Sequence, residues 1–302
     1  MKLLTFLHQG EERIGFVQDG NVLDLSEASP RLGRLASYTS SMLALLEGGD
    51  GILRELSGRI PTLFHDGAAT KSFRRRLQSV KLLAPVPRPG KIICAGINYH
   101  SHTKESGSSA AEPYFFFKPS TAVVGSGDVV SIPSFSKQPD HEVELGVVIG
   151  REGKDIPARR AYDYVAGYTV VNDISLRDGV TRGVAGTDLG RNWYKSKAAD
   201  ASCPMGPFIV TKDEIPNPYP LALDLRVNGE TRQHGTTDDM IFKIPDLVAS
   251  ASEGVTLECG DVISTGTCSG VGLSTGKYLE DGDLVEAEVE RVGVLVNRIR
   301  AT

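Results

Sequence analysis

The chain has 302 residues, a formal net charge of −5, 40% hydrophobic residues and 24% charged residues. This length closes a large core without disulfide or metal staples, and the acidic balance has the wrong sign for nucleic-acid backbones or anionic lipid. No stretch reaches the roughly 20 apolar residues of a membrane span. The opening run Met1 to His8 is too short for a secretory leader before Glu11, Glu12 and Arg13 interrupt it. Cys94, Cys203, Cys259 and Cys268 form no CxxC pair. The expectation is a cytoplasmic chain with reduced thiols and with neither a nucleic-acid nor a membrane partner.

Residues 1–80 read as a small β-rich unit with a helical tail. Strands are expected over 2–7 and 13–16, with Asp19-Gly20-Asn21 as the turn into 22–25. Helical spacing covers 35–46 and 52–60, and Arg74, Arg75 and Arg76 read as a solvated helix face. Three prolines within 84–90 mark the boundary to a second unit, 85–302. That unit is rich in short strands, expected over 91–94, 129–132, 143–149, 166–171, 208–211, 221–227, 262–264 and 285–289. Asn228-Gly229 is a hairpin turn into 230–233. Helices are few: 99–106, 158–162 and 243–251. The small residues at 106–111 have little to bury and suit a mobile segment. The fold class is α+β, mostly β.

The informative stretch is Asp140-His141-Glu142-Val143-Glu144-Leu145. Alternation along a strand sends Val143, Leu145 and Val147 to one face and puts Glu142 and Glu144 together on the other, roughly 6.5–7 Å apart. Buried charge costs several kcal/mol per group unless paired. Either that face is solvated or something positive sits on it. Asp173 follows the apolar run 164–171, where a strand exits into a loop, and supplies a third carboxylate. An all-oxygen set favours Mg²⁺ or Mn²⁺, with Ca²⁺ a further candidate, over zinc or copper. His102 and Glu105, three apart, share a helix face, where the carboxylate can orient the imidazole as a base. Two look-alikes fail on spacing: Gly270 to Gly276 is too long for a dinucleotide fingerprint, and the serine in Gly266 to Gly270 is misplaced for a nucleophile elbow.

From Lys91 to Ile299 the chain resembles the fumarylacetoacetate hydrolase family. The motifs are Gly96-x-Asn98-Tyr99-x-x-His102-x-x-Glu105, Phe116-Phe117-Lys118-Pro119, His141-Glu142-x-Glu144-Leu145, Asp173-x-Ser175-x-Arg177-Asp178, Lys197-x-x-Asp200, Met240-Ile241-Phe242 and Gly260-Asp261-Val262-Ile263-x-Thr265-Gly266-Thr267. The resemblance implies a mixed β-roll catalytic domain behind a small N-terminal domain, and a homodimer. It implies that Glu142, Glu144 and Asp173 bind the metal and that His102 and Glu105 are a catalytic dyad carried on a lid. It implies that Lys197 faces the reacting carbonyl, and that Arg177, Thr267, Lys118 and Tyr99 lie against substrate. His100 and Lys195 compete with His102 and Lys197 for their roles. Ala198-Ala199 and Val180 depart from common family residues, and Cys268 replaces a usual proline as a packing residue. The acyl pocket is expected from the lid and from 179–194.

These parts fit a metal-dependent hydrolase that cleaves the C–C bond of a 2,4-dioxo acid to pyruvate and a carboxylic acid. Water activated by the dyad would attack C4, with Lys197 facing the oxyanion. Oxaloacetate-type decarboxylation is the main alternative. Isomerisation or hydration of 2-oxo-enoic diacids is another, and a non-catalytic 2-oxo acid binding protein is the alternative of a different class.

Overall fold

The computed structural model describes residues 1–65, 72–181 and 192–301. Its principal strands are β1 (Lys2–His8), β2 (Glu11–Gln18), β3 (Asn21–Asp24), β4 (Arg74–Arg76), β5 (Ile92–Ala95), β6 (Phe115–Lys118), β7 (Val129–Ile132), β8 (Val143–Ile149), β9 (Val165–Asn172), β10 (Cys203–Thr211), β11 (Ala222–Val227), β12 (Glu230–Thr236), β13 (Val262–Thr267), β14 (Leu284–Val289) and β15 (Gly293–Ala301). The longest helix is α1 (Gly49–His65), and α2 (His100–Ser106), α3 (Trp193–Lys197) and α4 (Ile244–Ser252) are short. The class is α+β and mostly β.

One large mixed sheet runs β4-β3-β2-β1-β10-β9-β8-β13-β5-β6, and a second, five-stranded sheet runs β12-β11-β14-β15-β7. Their apolar faces meet in one core that includes Leu145, Val147, Val170, Leu223, Leu225, Val285 and Leu295. Central strands β8 and β9 are buried along their whole length, as continuous apolar runs require. The N-terminal segment adds strands to this large sheet: Lys2 and Leu3 of β1 pair with Val210 and Ile209 of β10. The proline-rich stretch 84–90 is irregular, yet the hydrogen-bonded sheet runs past it.

Several sequence expectations are corrected. Arg74–Arg76 is a strand paired with β3, not a helix face. Arg75 contacts buried Asp24 at 3.3 Å and also reaches Glu27, so neutralising an interior carboxylate sets its conformation. The helix expected over 35–46 is broken into a 3₁₀ segment, Gly33–Tyr38, and a short helix, Met42–Glu47. Ser41 restarts it by accepting the Ala44 N–H as N-cap. Strands β6 and β15 were not anticipated. No helix among the described residues is long and apolar enough to cross a membrane.

Glycine lets the central strands approach closely. A Cβ on Gly167 of β9 would lie 2.3 Å from the Val210 carbonyl oxygen and 2.9 Å from the Thr211 Cα of β10, both backbone atoms. Gly167→Ala is expected to lower stability by about 1–3 kcal/mol. Urea unfolding would show this as a lower midpoint at unchanged slope, and an unchanged midpoint would mean that β9 and β10 part freely.

Candidate active site

Glu142 and Glu144 flank the first residue of β8, and Asp173 follows the last residue of β9. The register Val143↔Asn172 brings the two strand ends together, and Asp173 N–H donates to the Glu142 carbonyl at 2.9 Å. Val143, Leu145 and Val147 fill the core, so alternation turns both glutamates to the other side. Glu142, Glu144 and Asp173 are 6%, 2% and 0% exposed, and one oxygen from each lies within 4.8 Å of the others.

Buried cations answer most of this charge. Lys197 Nζ donates to Glu142 Oε2 at 2.7 Å and to Asp173 Oδ2 at 2.6 Å. Lys118 Nζ donates to Asp173 Oδ1 at 2.7 Å and to the Ile174 carbonyl at 3.0 Å. Arg177 donates through Nε to Asp140 at 2.7 Å and through Nη2 to Glu142. Burial alone would raise the Glu142 carboxyl, but Lys197 and Arg177 outweigh it and hold the group well below the usual range. Burial would likewise lower Lys197, and Asp173 and Glu142 keep it firmly protonated.

Glu144 differs. Its oxygen is held by neutral donors, the Ser264 hydroxyl and the Gly266 N–H. Burial, Asp173 and Glu142 push its carboxyl up to about 8. The all-oxygen donors and this one undercompensated carboxylate fit a hard divalent cation, which would be held by Glu142, Glu144 and Asp173.

Across a cavity of about 310 Å³ lies the dyad. His102 Nδ1 is 2.8 Å from Glu105 Oε1, and Glu105 Oε2 accepts the Gly270 N–H at 2.9 Å. One carboxylate therefore orients the imidazole and fastens α2 to the loop after β13. His102, Glu105, Glu142, Glu144, Arg177, Lys197 and Thr267 all line this cavity. The competing residues His100 and Lys195 are exposed.

Two expected substrate contacts lie elsewhere. Tyr99 is fully buried in the core and Lys118 stands behind Asp173, and neither lines the cavity. Lys118 instead orients the Asp173 carboxylate. Cys268 is fully buried, and burial pushes its thiol up to about 12, which suits packing. Of the stretch 179–194 expected to shape the acyl pocket, 182–191 lie outside the described residues.

Sequence reasoning missed three contributors. Trp193 stacks on Phe116 with centroids 5.3 Å apart, and Lys197 sits over the same Phe116 ring at 4.7 Å. Asp140 takes the N–H groups of His141, Gly272 and Leu273 besides Arg177. Gln233 reaches in from the second sheet. Gln233 is the one buried residue of the 230–236 hairpin strand, a burial that its local sequence does not announce.

Three buried carboxylates, two of them lining one cavity with a His–Glu pair, make a site suited to a divalent cation and to proton transfer. The chain belongs to the fumarylacetoacetate hydrolase family: residues 91–300 match the family description "Fumarylacetoacetate (FAA) hydrolase C-terminal". Among curated relatives, oxaloacetate tautomerase YisK of Bacillus subtilis (strain 168) is 40% identical over 290 residues, covering 94% of each chain. The human mitochondrial oxaloacetate tautomerase FAHD2A is 39% identical, covering 93% of this chain and 84% of its own. Among solved structures, fumarylacetoacetate hydrolase from Exiguobacterium antarcticum has a TM-score of 0.80 at 33% identity, with both chains fully covered. Maleylpyruvate hydrolase from Sphingobium sp. SYK-6, in complex with manganese(II) and pyruvate, has a TM-score of 0.77 at 29% identity, covering 100% of this chain and 99% of its own.

The raised Glu144 carboxyl fixes the sign of a pH effect. A buried acid whose folded pKa exceeds its unfolded value loses stability as pH rises between the two. In EDTA the wild-type protein should therefore lose stability from about pH 4.5 towards about 8. Glu144→Gln should flatten that loss and gain about 1–3 kcal/mol at pH 7, while weakening Mg²⁺ binding about 100-fold. Thermal melts in EDTA and titration calorimetry would check both, and a Glu144→Gln protein less stable than wild type in EDTA would contradict the charge argument.

Proposed function

We propose that the chain catalyses metal-dependent keto–enol interconversion of a small anionic 2-oxo acid, with oxaloacetate as the leading substrate and Mg²⁺ or Mn²⁺ on the triad. The observation that carries the reading is the His102–Glu105 pair lining one cavity with Glu142 and Glu144, each of which brings a carboxylate oxygen within 4.8 Å of one on Asp173. This arrangement supports a proton-moving role for His102 beside an oxo-acid head bound at the carboxylates. The near full-length similarity to oxaloacetate tautomerases supports the choice of substrate.

When bound, the divalent cation supplies Lewis-acid polarisation of the 2-oxo group. Glu105 occupies Nδ1 of His102, which leaves Nε2 to take a proton from C3 of the substrate. The electron pair left behind moves onto the 2-oxo oxygen, and the Lys197 ammonium in the same cavity faces that growing charge. Return of the proton from His102 Nε2 to this oxygen gives the enol and restores the neutral imidazole, and the reverse steps return the ketone. Phe116 holds Lys197 from one side by its ring face, while Asp140 fixes Arg177 at the cavity wall.

A second reading draws on the same dyad. His102 can equally deprotonate a water for C–C hydrolysis of an acylpyruvate, the chemistry suggested by the maleylpyruvate hydrolase likeness.

The test follows enol absorbance of oxaloacetate with Mg²⁺ or Mn²⁺, beside acylpyruvates assayed for pyruvate release. The expected result is EDTA-sensitive enol–keto equilibration without pyruvate formation, with His102→Ala lowering kcat by about 10²–10⁴ and leaving metal affinity intact. Pyruvate plus an acid from acylpyruvates, at rates above any enol turnover, would replace this reading with the hydrolase. Pyruvate plus carbon dioxide from oxaloacetate would replace it with the decarboxylase.

A further inference from the structure

Val143 lies between the two glutamates of the triad, and side chains from elsewhere grip both of its peptide groups. Gln233 on β12 is fully buried. Its Oε1 accepts the Val143 N–H at 3.0 Å, and its Nε2 donates to Thr267 Oγ1 at 2.8 Å and to the Cys268 carbonyl at 3.0 Å. A backbone N–H only donates and a carbonyl only accepts, so the amide can face only one way. Thr267 Oγ1 therefore receives a hydrogen bond from Gln233, and its own proton goes to the Val143 carbonyl at 2.8 Å.

We infer that Gln233 and Thr267 form a clamp on Val143 that sets the spread of Glu142 and Glu144 and so selects the size of the cation between them. These are positioning roles, exerted through the backbone. The regular ladder does not fix this spread alone, because the β8–β13 register shifts between Glu144 and Gly146. Neighbouring backbone is held in the same manner: Glu142 N–H donates to Asn172 Oδ1 at 3.0 Å. The clamp also ties the two sheets, since Gln233 belongs to the second and Val143 to the first.

Cation size makes the idea testable. Mg²⁺ demands near-ideal octahedral geometry at about 2.0–2.1 Å, whereas Ca²⁺ accepts irregular cages at about 2.3–2.6 Å. Loosening the clamp should cost Mg²⁺ more than Ca²⁺. The inference rests on reading the triad as a cation site.

The experiment is calorimetric titration of Mg²⁺ and of Ca²⁺ into the full chain as wild type, Thr267→Val, Thr267→Ser, Gln233→Met and the Thr267→Val/Gln233→Met double variant. Thr267→Val and Gln233→Met should each weaken Mg²⁺ binding about 10–100-fold and Ca²⁺ binding at least several-fold less, so that the Mg²⁺/Ca²⁺ preference falls. The double variant should be little worse than either single, because the two act as one unit. Thr267→Ser keeps the hydroxyl and should behave as wild type. If Gln233→Met does not fold, the Val and Ser variants at 267 carry the comparison. An unchanged preference, or equal loss of both ions, overturns the clamp and leaves the cation site standing. A wild-type chain that binds neither ion overturns both.

Discussion

The structure is organised around mutual repulsion among three carboxylates brought within 4.8 Å in the interior. Each such charge costs several kcal/mol to bury unless something answers it. Lys197 bridges two of the three, Lys118 takes the far oxygen of Asp173, and Arg177 reaches Glu142. None of these cations would be buried here for its own sake, because each pays desolvation too. They form a neutralising shell that makes the acids tolerable to the fold. Glu144 is the weak point of that balance, served by a hydroxyl and an N–H rather than a cation, and the molecule is there most receptive to a divalent ion.

Much of the positioning passes through the end of β13 and the segment that follows it. Gly266 donates to Glu144, Thr267 holds Val143, Ser269 N–H donates to Ser101 at the start of α2, and Gly270 N–H donates to Glu105. Gly272 and Leu273 then donate to Asp140, which also grips Arg177. A single stretch of backbone therefore sets a glutamate of the triad, the His102–Glu105 pair and Arg177 in relation to one another. Glycine is needed along it: Gly270 has φ +101°, and a Cβ there would lie 2.1 Å from the Arg232 carbonyl oxygen. Close approach of this segment to the β12 hairpin is also what lets Gln233 reach Val143.

What was legible in the sequence follows from range. The strand 143–149 and the shared face of Glu142 and Glu144 come from period-2 alternation, and β8 has those bounds. The pairing of His102 with Glu105 comes from helical spacing, and the side chains meet at 2.8 Å. Arg75 shows the limit: three adjacent arginines look solvated until β3 supplies Asp24 as a partner. Tyr99 shows another, since it is close to His102 in sequence but turns into the core, where it is fully buried. Asp140, Gln233 and Trp193 act through partners tens of residues away in the chain, and no local pattern encodes which sheet edge will meet which. Strand β15 escaped notice because its apolar positions are interrupted by Asn297, Arg298 and Arg300, although Asn297 is buried and donates to the Gly125 and Asp128 carbonyls.

The charge arrangement also gives this acidic chain cationic groups on its cavity wall, as the proposed anionic substrate requires. Glu142 is the residue on which both Lys197 and Arg177 converge. Any positive charge shared with Glu142 lowers its hold on these two groups, and both already line the cavity. They are then the residues with capacity left for a carboxylate or a developing oxyanion. Arg177 stays oriented by Asp140 and Lys197 by Asp173 and the Phe116 ring, so neither must search for its place. Binding of a cation and of an anionic oxo acid should on this account be cooperative, with Glu142 as the residue through which each favours the other.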